Sequence, residues 1–380
     1  MSRLLPAALA ALATAGCAAH AAPEGVVRTE AASFRVVELA GGLVEPWAVA
    51  VLPGGDGDAL VTEKPGRLRL VQAGKLRAEP VAGVPPVYGR DQGGLLDIAL
   101  DPGFAENRAI YLSYAHPGPG GTTTTRVARA RYAPGGLTEL RVIFEAKPLV
   151  DSSKHFGSRL AFGNDGTLFV TMGERFTQRE RAQDLGSHLG KVLRINPDGS
   201  APADNPFVGR TGALPEIYSY GHRNPQGLLV DPRDGRVWEQ EHGARGGDEI
   251  NVLKPGANYG WPEVAYGINY NGTPIARGER SRPGVEQPLH YWDPSIAPSG
   301  MTIYRGDRFP GWKGDLLVGA LKYQLISRLD LDDQGRVTGE EQFLKGVLGR
   351  VRDVEEGPDG LVYVVTDESP GGLYRLEPAS

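Results

Sequence analysis

The sequence has almost no sulfur, with one cysteine and three methionines in 380 residues. A single cysteine, Cys17, excludes an intrachain disulfide, so the fold must be held by its core alone, and the chain is long enough to bury one. Beyond the N-terminus no apolar run reaches the length of a membrane-spanning helix. Neither sign of charge dominates: 41 Lys and Arg stand against 46 Asp and Glu, a net charge of −5. That balance argues against a general nucleic-acid binder. No Walker A loop, GxGxxG turn or HExxH helix occurs. Ser153 and His155 lie close together, but no nucleophile elbow supports a hydrolytic triad. Glycine and proline are abundant instead, at 53 and 30 residues. That is turn chemistry, and it favours many short strands over long helices.

The N-terminus reads "MSRLLPAALAALATAGCAAHAAPE", with Arg3 its only charge before Glu24. Residues 1–22 are expected to be an export signal that directs the chain to the periplasm. Ala19-His20-Ala21 suits a signal peptidase. Thr14-Ala15-Gly16-Cys17 is an imperfect lipobox, which leaves lipid anchoring through Cys17 as the competing route. Residues 23–380 are expected to form one domain.

Six segments share one plan: a short apolar strand, a Gly/Asp/Pro turn, then a β-rich strand. They begin near Trp47, Gly94, Ser158, Gln226, Gly300 and Val351, and each is followed by a further strand. Six antiparallel units of this kind predict an all-β, six-bladed β-propeller of four-stranded blades. The segment "DLDDQGRVTGEE" from Asp330 nearly matches a calcium loop, but it falls at a strand–turn–strand and reads as a hairpin.

Antiparallel topology brings the loop entering each first strand and the loop leaving each second strand to one face. The entering loops carry Trp47, Gln92, His155, Arg223-Asn224, Ser295 and Arg350 to Arg352. The leaving loops carry Glu63-Lys64, Glu174, His242-Gly243-Ala244, Lys322 and Asp367. Trp47 and Trp261 read as packing residues. The convergence of arginines, a lysine and amides in an acidic protein points to a small anionic ligand, one rich in carboxylates or phosphates. His155 before its strand could be a hydrogen-bonded structural residue, a metal ligand or a base.

The motifs "SSKHFGSRLAFGNDG" (152–166), "GHRNPQGL" (221–228), "DEINVLKPGANYGWP" (248–262), "QGGLLDIALDP" (92–102) and "RVRDV" (350–354) carry a family resemblance. Over essentially the whole chain from Phe34 to Leu376 the sequence resembles the soluble glucose/sorbosone dehydrogenases, and within them the aldose sugar dehydrogenases. The resemblance implies a quinoprotein that oxidises the anomeric carbon of aldoses to lactones, using pyrroloquinoline quinone and calcium and an external electron acceptor. It implies His155 as the base and Arg223 as a stabiliser of the reduced quinone. Gln92, Arg223, Asn224, Lys322, Arg350, Arg352 and Asp367 would surround the quinone, and the carbonyls of Gly243 and Ala244 would hold calcium. Lys154, His242, Ala244 and Asp293 depart from the glucose-specific pattern, with Asp293 where an aromatic wall is implied, so broad aldose specificity is expected. No dimer-pairing loop is evident, which favours a monomer. The competing reading is a non-catalytic propeller that binds a ligand or a protein; the joint presence of His155, Arg223, Lys322, Arg350 and Arg352 argues against it.

Overall fold

A computed structural model describes residues 22–54 and 57–379. Cys17 and the rest of the expected export segment up to residue 21 lie outside them. No helix among the described residues is long and apolar enough to cross a membrane.

The strands form six antiparallel sheets, arranged as the blades of a six-bladed propeller. The innermost strands are Pro46–Val51, Leu95–Leu100, Gly157–Phe162, Pro225–Val230, Pro298–Ile303 and Val351–Glu356, and each neighbours the next around the ring. Four of them share one burial pattern, four buried residues followed by two half-buried ones. The buried end lies toward the mouth, where the entering loops converge. The hairpin predicted at Asp330 is present, between Leu325–Leu331 and Val337–Phe343.

Closure was not legible in the repeats. The sixth blade takes its outer strand, Ser33–Leu43, from the N-terminal end of the domain, paired to Gly371–Pro378. This joins the two ends of the chain and removes a free sheet edge. The seam is apolar: Phe34, fully buried, meets Phe309, Trp312 and Phe343 edge-on at 6.4, 5.5 and 5.8 Å.

Every innermost strand carries a bulge just inside the mouth. The register slips between Pro46 and Ala48, Leu95 and Ile98, Gly157 and Leu160, Pro225 and Gly227, Pro298 and Met301, and Val351 and Asp353. One extra residue per blade bends the strand and re-aims a side chain. In three blades that residue is Trp47, Gln226 or Arg352, and all three line the central pocket.

Because Phe34 locks the closing strand against the fifth blade, Phe34→Ala is expected to destabilise the protein by about 3–5 kcal/mol in chemical denaturation. A loss under 1 kcal/mol would show that the seam does not hold the ring shut.

Candidate active site

Four of the six loops entering the blades are held by buried or half-buried carboxylates at or just after the end of the second strand in the same blade. Glu63 accepts the Val44 N–H at 2.7 Å, and Glu368 accepts the Arg350 N–H at 3.0 Å. Glu241 accepts the Arg223 N–H through a short bond and the Asn224 N–H at 3.2 Å. Glu174 reaches the side chain of His155 instead, 3.0 Å from Nδ1. Three entering loops are thus placed by a carboxylate on their backbone amides, and a fourth by Glu174 on the His155 ring. Glu241 also forms, with His222 and Glu239, the one cluster among the described residues with metal-ligand spacing. Its bonds to two backbone amides and the His222 ring give it a structural task.

The central pocket, about 330 Å³, gathers Gln92, Asn224, Arg350, Arg352 and Asp367 as the sequence predicts. Trp47, Lys64 and Gln226 join them. Trp47 was expected to pack, and it does so as the pocket's aromatic floor, over the Arg159 guanidinium at 4.1 Å. Arg159 is buried beneath. It donates to the carbonyls of Gln226 at 2.7 Å and Arg352 at 3.1 Å and pairs with Asp353 at 2.9 Å. Arg352 and Arg350 both reach Asp367, at 2.6 and 3.4 Å. Burial opposes ionisation of Asp367, but Arg352, Lys64 and Arg350 outweigh it and hold the carboxyl down at about 2. Lys64, Arg350 and Arg352 face Asp367 and Asp91 in the lining, Lys64 is also paired with Glu45 at 2.9 Å, and Arg352 Nε is buried without a partner.

His155 is nearly fully buried and does not itself line the pocket; its neighbours Phe156 and Gly157 do, and its backbone N–H donates to the pocket residue Gln92 at 2.8 Å. Its backbone is left-handed, φ 49°. The space is narrow: a side chain on Gly173 would fall 2.2 Å from the His155 carbonyl oxygen. Burial, then the charges of Arg223, Arg175 and Lys154, hold the imidazole well below its usual value, with Asp91 opposing. Burial pushes Glu174 the other way, to about 7, against Arg223. His155 is thus neutral. Above pH 7 the ionised Glu174 accepts a hydrogen bond from Nδ1–H, and Nε2 is left as a free acceptor.

Arg223, Gly243 and Ala244 lie in an adjoining small cavity instead of the central pocket, with Trp261 above. Arg223 donates to the carbonyls of His242 at 3.1 Å and, through a short bond, Gly243. The oxygen implied for calcium is therefore engaged by a guanidinium. Asp248 fixes this turn, accepting the Gly243 N–H at 2.8 Å and the Ala297 N–H at 2.9 Å. Lys322 lines a wider outer cleft together with Asp293, its ammonium 5.0 Å from the Tyr323 ring. Aromatic faces come from elsewhere: Phe176 stands edge-on to His155 at 5.2 Å and faces Tyr270 at 6.5 Å.

Sequence reasoning placed Lys64 and Glu174 on this face without a role, and it gave Gln226 none. Gln226 stood in the quoted "GHRNPQG" motif, and Glu63, Glu174, Glu241 and Glu368 recur just after or at the end of the second strands, in "VTE", "TMGE", "EQE" and "TDE". That recurrence was the available signal.

Residues 43–375 match the family model described as Glucose / Sorbosone dehydrogenase. The chain is 44% identical over 351 residues to aldose sugar dehydrogenase YliI of Escherichia coli, covering 91% of this chain and 94% of that one. It is 30% identical over 404 residues to quinoprotein glucose dehydrogenase B of Acinetobacter calcoaceticus, covering 86% and 84%. The structure superposes on the PQQ-bound form of aldose sugar dehydrogenase from Streptomyces coelicolor with a TM-score of 0.74 and 30% identity, covering 94% of this chain and 99% of that one. The match over residues 43–375 and the identity to these relatives along nearly the whole propeller make the chain a member of the glucose/sorbosone dehydrogenase family.

Proposed function

We propose that the chain is an exported, monomeric quinoprotein that oxidises the anomeric carbon of aldoses to lactones and passes the electrons to an external acceptor. The observation that carries this reading is the buried His155–Glu174 pair, joined through Gln92 to a pocket that gathers Lys64, Arg350 and Arg352. The pocket suits pyrroloquinoline quinone: it gathers two arginines and a lysine, it has an aromatic floor, and Arg352 keeps an unpartnered N–H for a carboxylate. Arg350, Arg352 and Lys64 would meet the acid groups, Gln92 and Asn224 the remaining polar edge, and Asp367 keeps the arginines aligned. Lys322 and Arg223 would close on it from the cleft and the side cavity. When bound, the quinone supplies the hydride acceptor.

His155 Nε2 takes the proton from the anomeric hydroxyl, and Glu174 holds the tautomer that leaves Nε2 free. Gly173 and Gln92 fix the ring's position. Carbonyl oxygens at Gly243 and Ala244 suit a hard cation such as calcium, provided Arg223 releases the first of them.

Purified protein supplied with the quinone and calcium is expected to oxidise a panel of aldoses in a dye-coupled assay. His155→Ala should lower kcat by about 10²–10⁴-fold while the quinone still binds. Protein that neither binds the quinone nor oxidises any aldose would sink the proposal.

The proton acceptor exists only while Glu174 is ionised, so kcat is expected to rise with pH through about 7. Glu174→Gln cannot titrate there, and that limb should vanish from its pH profile. Persistence of the limb would remove Glu174 from this role.

A further inference from the structure

We infer that the outer cleft beyond Gly243 and Ala244 is a subsite for a second, carboxylate-bearing sugar unit, so that acidic oligosaccharides with a free reducing end are the favoured substrates. This rests on the dehydrogenase reading and names the substrate class of the same site.

The cleft is about 860 Å³, much larger than the central pocket, and it is lined by Arg245, Tyr266, Tyr270, Arg280, Asp293 and Lys322 among others. It is continuous with the reaction centre, because the Tyr270 hydroxyl lies 3.4 Å from Arg223 Nη2. Room for more than one sugar ring is the first requirement, and a concave surface beside the chemistry meets it.

Charge is the second. Among the described residues neither Arg245 nor Arg280 lies within ion-pair distance of a carboxylate; Arg280 rests 6.0 Å from the Tyr266 ring. Arg282, two positions on, is neutralised by Glu263 at 2.7 Å and Glu279 at 2.8 Å. The same loop pairs the arginine that faces away and leaves free the one that faces the cleft. With Lys322 against Asp293, the lining is positive inside an acidic protein. A guanidinium fork matches a carboxylate in shape as well as charge.

Aromatic faces are the third. Tyr270 is 62% exposed, although burying its ring would be favourable. Tyr266 is held rigid by stacking on Tyr291 at 4.2 Å and by donating to Gln287 at 2.8 Å. Such fixed faces offer apolar contact to the C–H side of a sugar ring at low entropic cost. A flat acidic protein partner has no use for a concave, aromatic-walled cleft.

Cellobiouronic acid and cellobiose present the same reducing glucose and differ in whether the second unit carries a carboxylate. The acid is expected to show kcat/KM about tenfold higher at low ionic strength, declining with salt. Arg245→Gln with Arg280→Gln should abolish that advantage and leave glucose oxidation unchanged. On the cofactor-free protein, saturation-transfer NMR should detect the borohydride-reduced acid disaccharide in the wild type and lose it in the double variant. Equal handling of the two disaccharides, or a double variant that keeps the preference, would overturn the subsite. Glucose oxidation without acid preference or alditol binding would remove the subsite alone. Arginine-dependent alditol binding in a protein that oxidises no aldose would keep the subsite and remove the dehydrogenase reading.

Discussion

The site depends on one repeated interaction, a carboxylate at the end of a blade's second strand that holds the loop entering its first. Glu63, Glu241 and Glu368 bind backbone amides at that loop, and Glu174 binds an imidazole. Some mouth-loop amides find backbone acceptors, as Glu45 does at Glu368, but those of Val44, Arg223, Asn224 and Arg350 are met by a side-chain carboxylate. A carboxylate is the strong choice, and its position at the strand end puts it within reach. One blade has turned this device to a different use. At Glu174 the acceptor faces a titratable ring, and a structural bond becomes one that sets a tautomer.

The second constraint is the bulge at the mouth end of all six inner strands. It breaks the two-residue alternation that would otherwise bury these side chains between blades. Trp47, Gln226 and Arg352 turn inward as a result, and Arg159 supports them from below. The pocket cations are themselves held by acids, Arg352 and Arg350 by Asp367 and Lys64 by Glu45. Burial raises both carboxyls and their neighbours decide the outcome: Asp367, beside Arg352, Lys64 and Arg350, stays ionised, whereas Glu174 rises to about 7.

Six repeats of strand, turn and strand settled the number of blades, and antiparallel topology settled which loops share a face. Those are local properties, since period and turn chemistry are written in adjacent residues. They sufficed to bring Gln92, Asn224, Arg350, Arg352 and Asp367 into one pocket. Other features depend on contacts far apart in the chain. The N-terminal strand that closes the ring pairs with Gly371–Pro378, and nothing in Ser33–Leu43 names that partner.

By itself, then, the sequence determined the architecture, the functional face and the residue types that meet there. Tertiary structure alone decided which of them touch. Lys322 was displaced into the cleft, and Arg223 was drawn to the Gly243 carbonyl. Gln226 and Trp47 became pocket walls, and the aromatic faces came from Phe176 and Tyr270 where Asp293 offers none. The reason is physical: strand period predicts the side a residue faces only until a bulge shifts it. Side chains on different blades acquire distances, and hence shifted pKa values, only when the ring has closed.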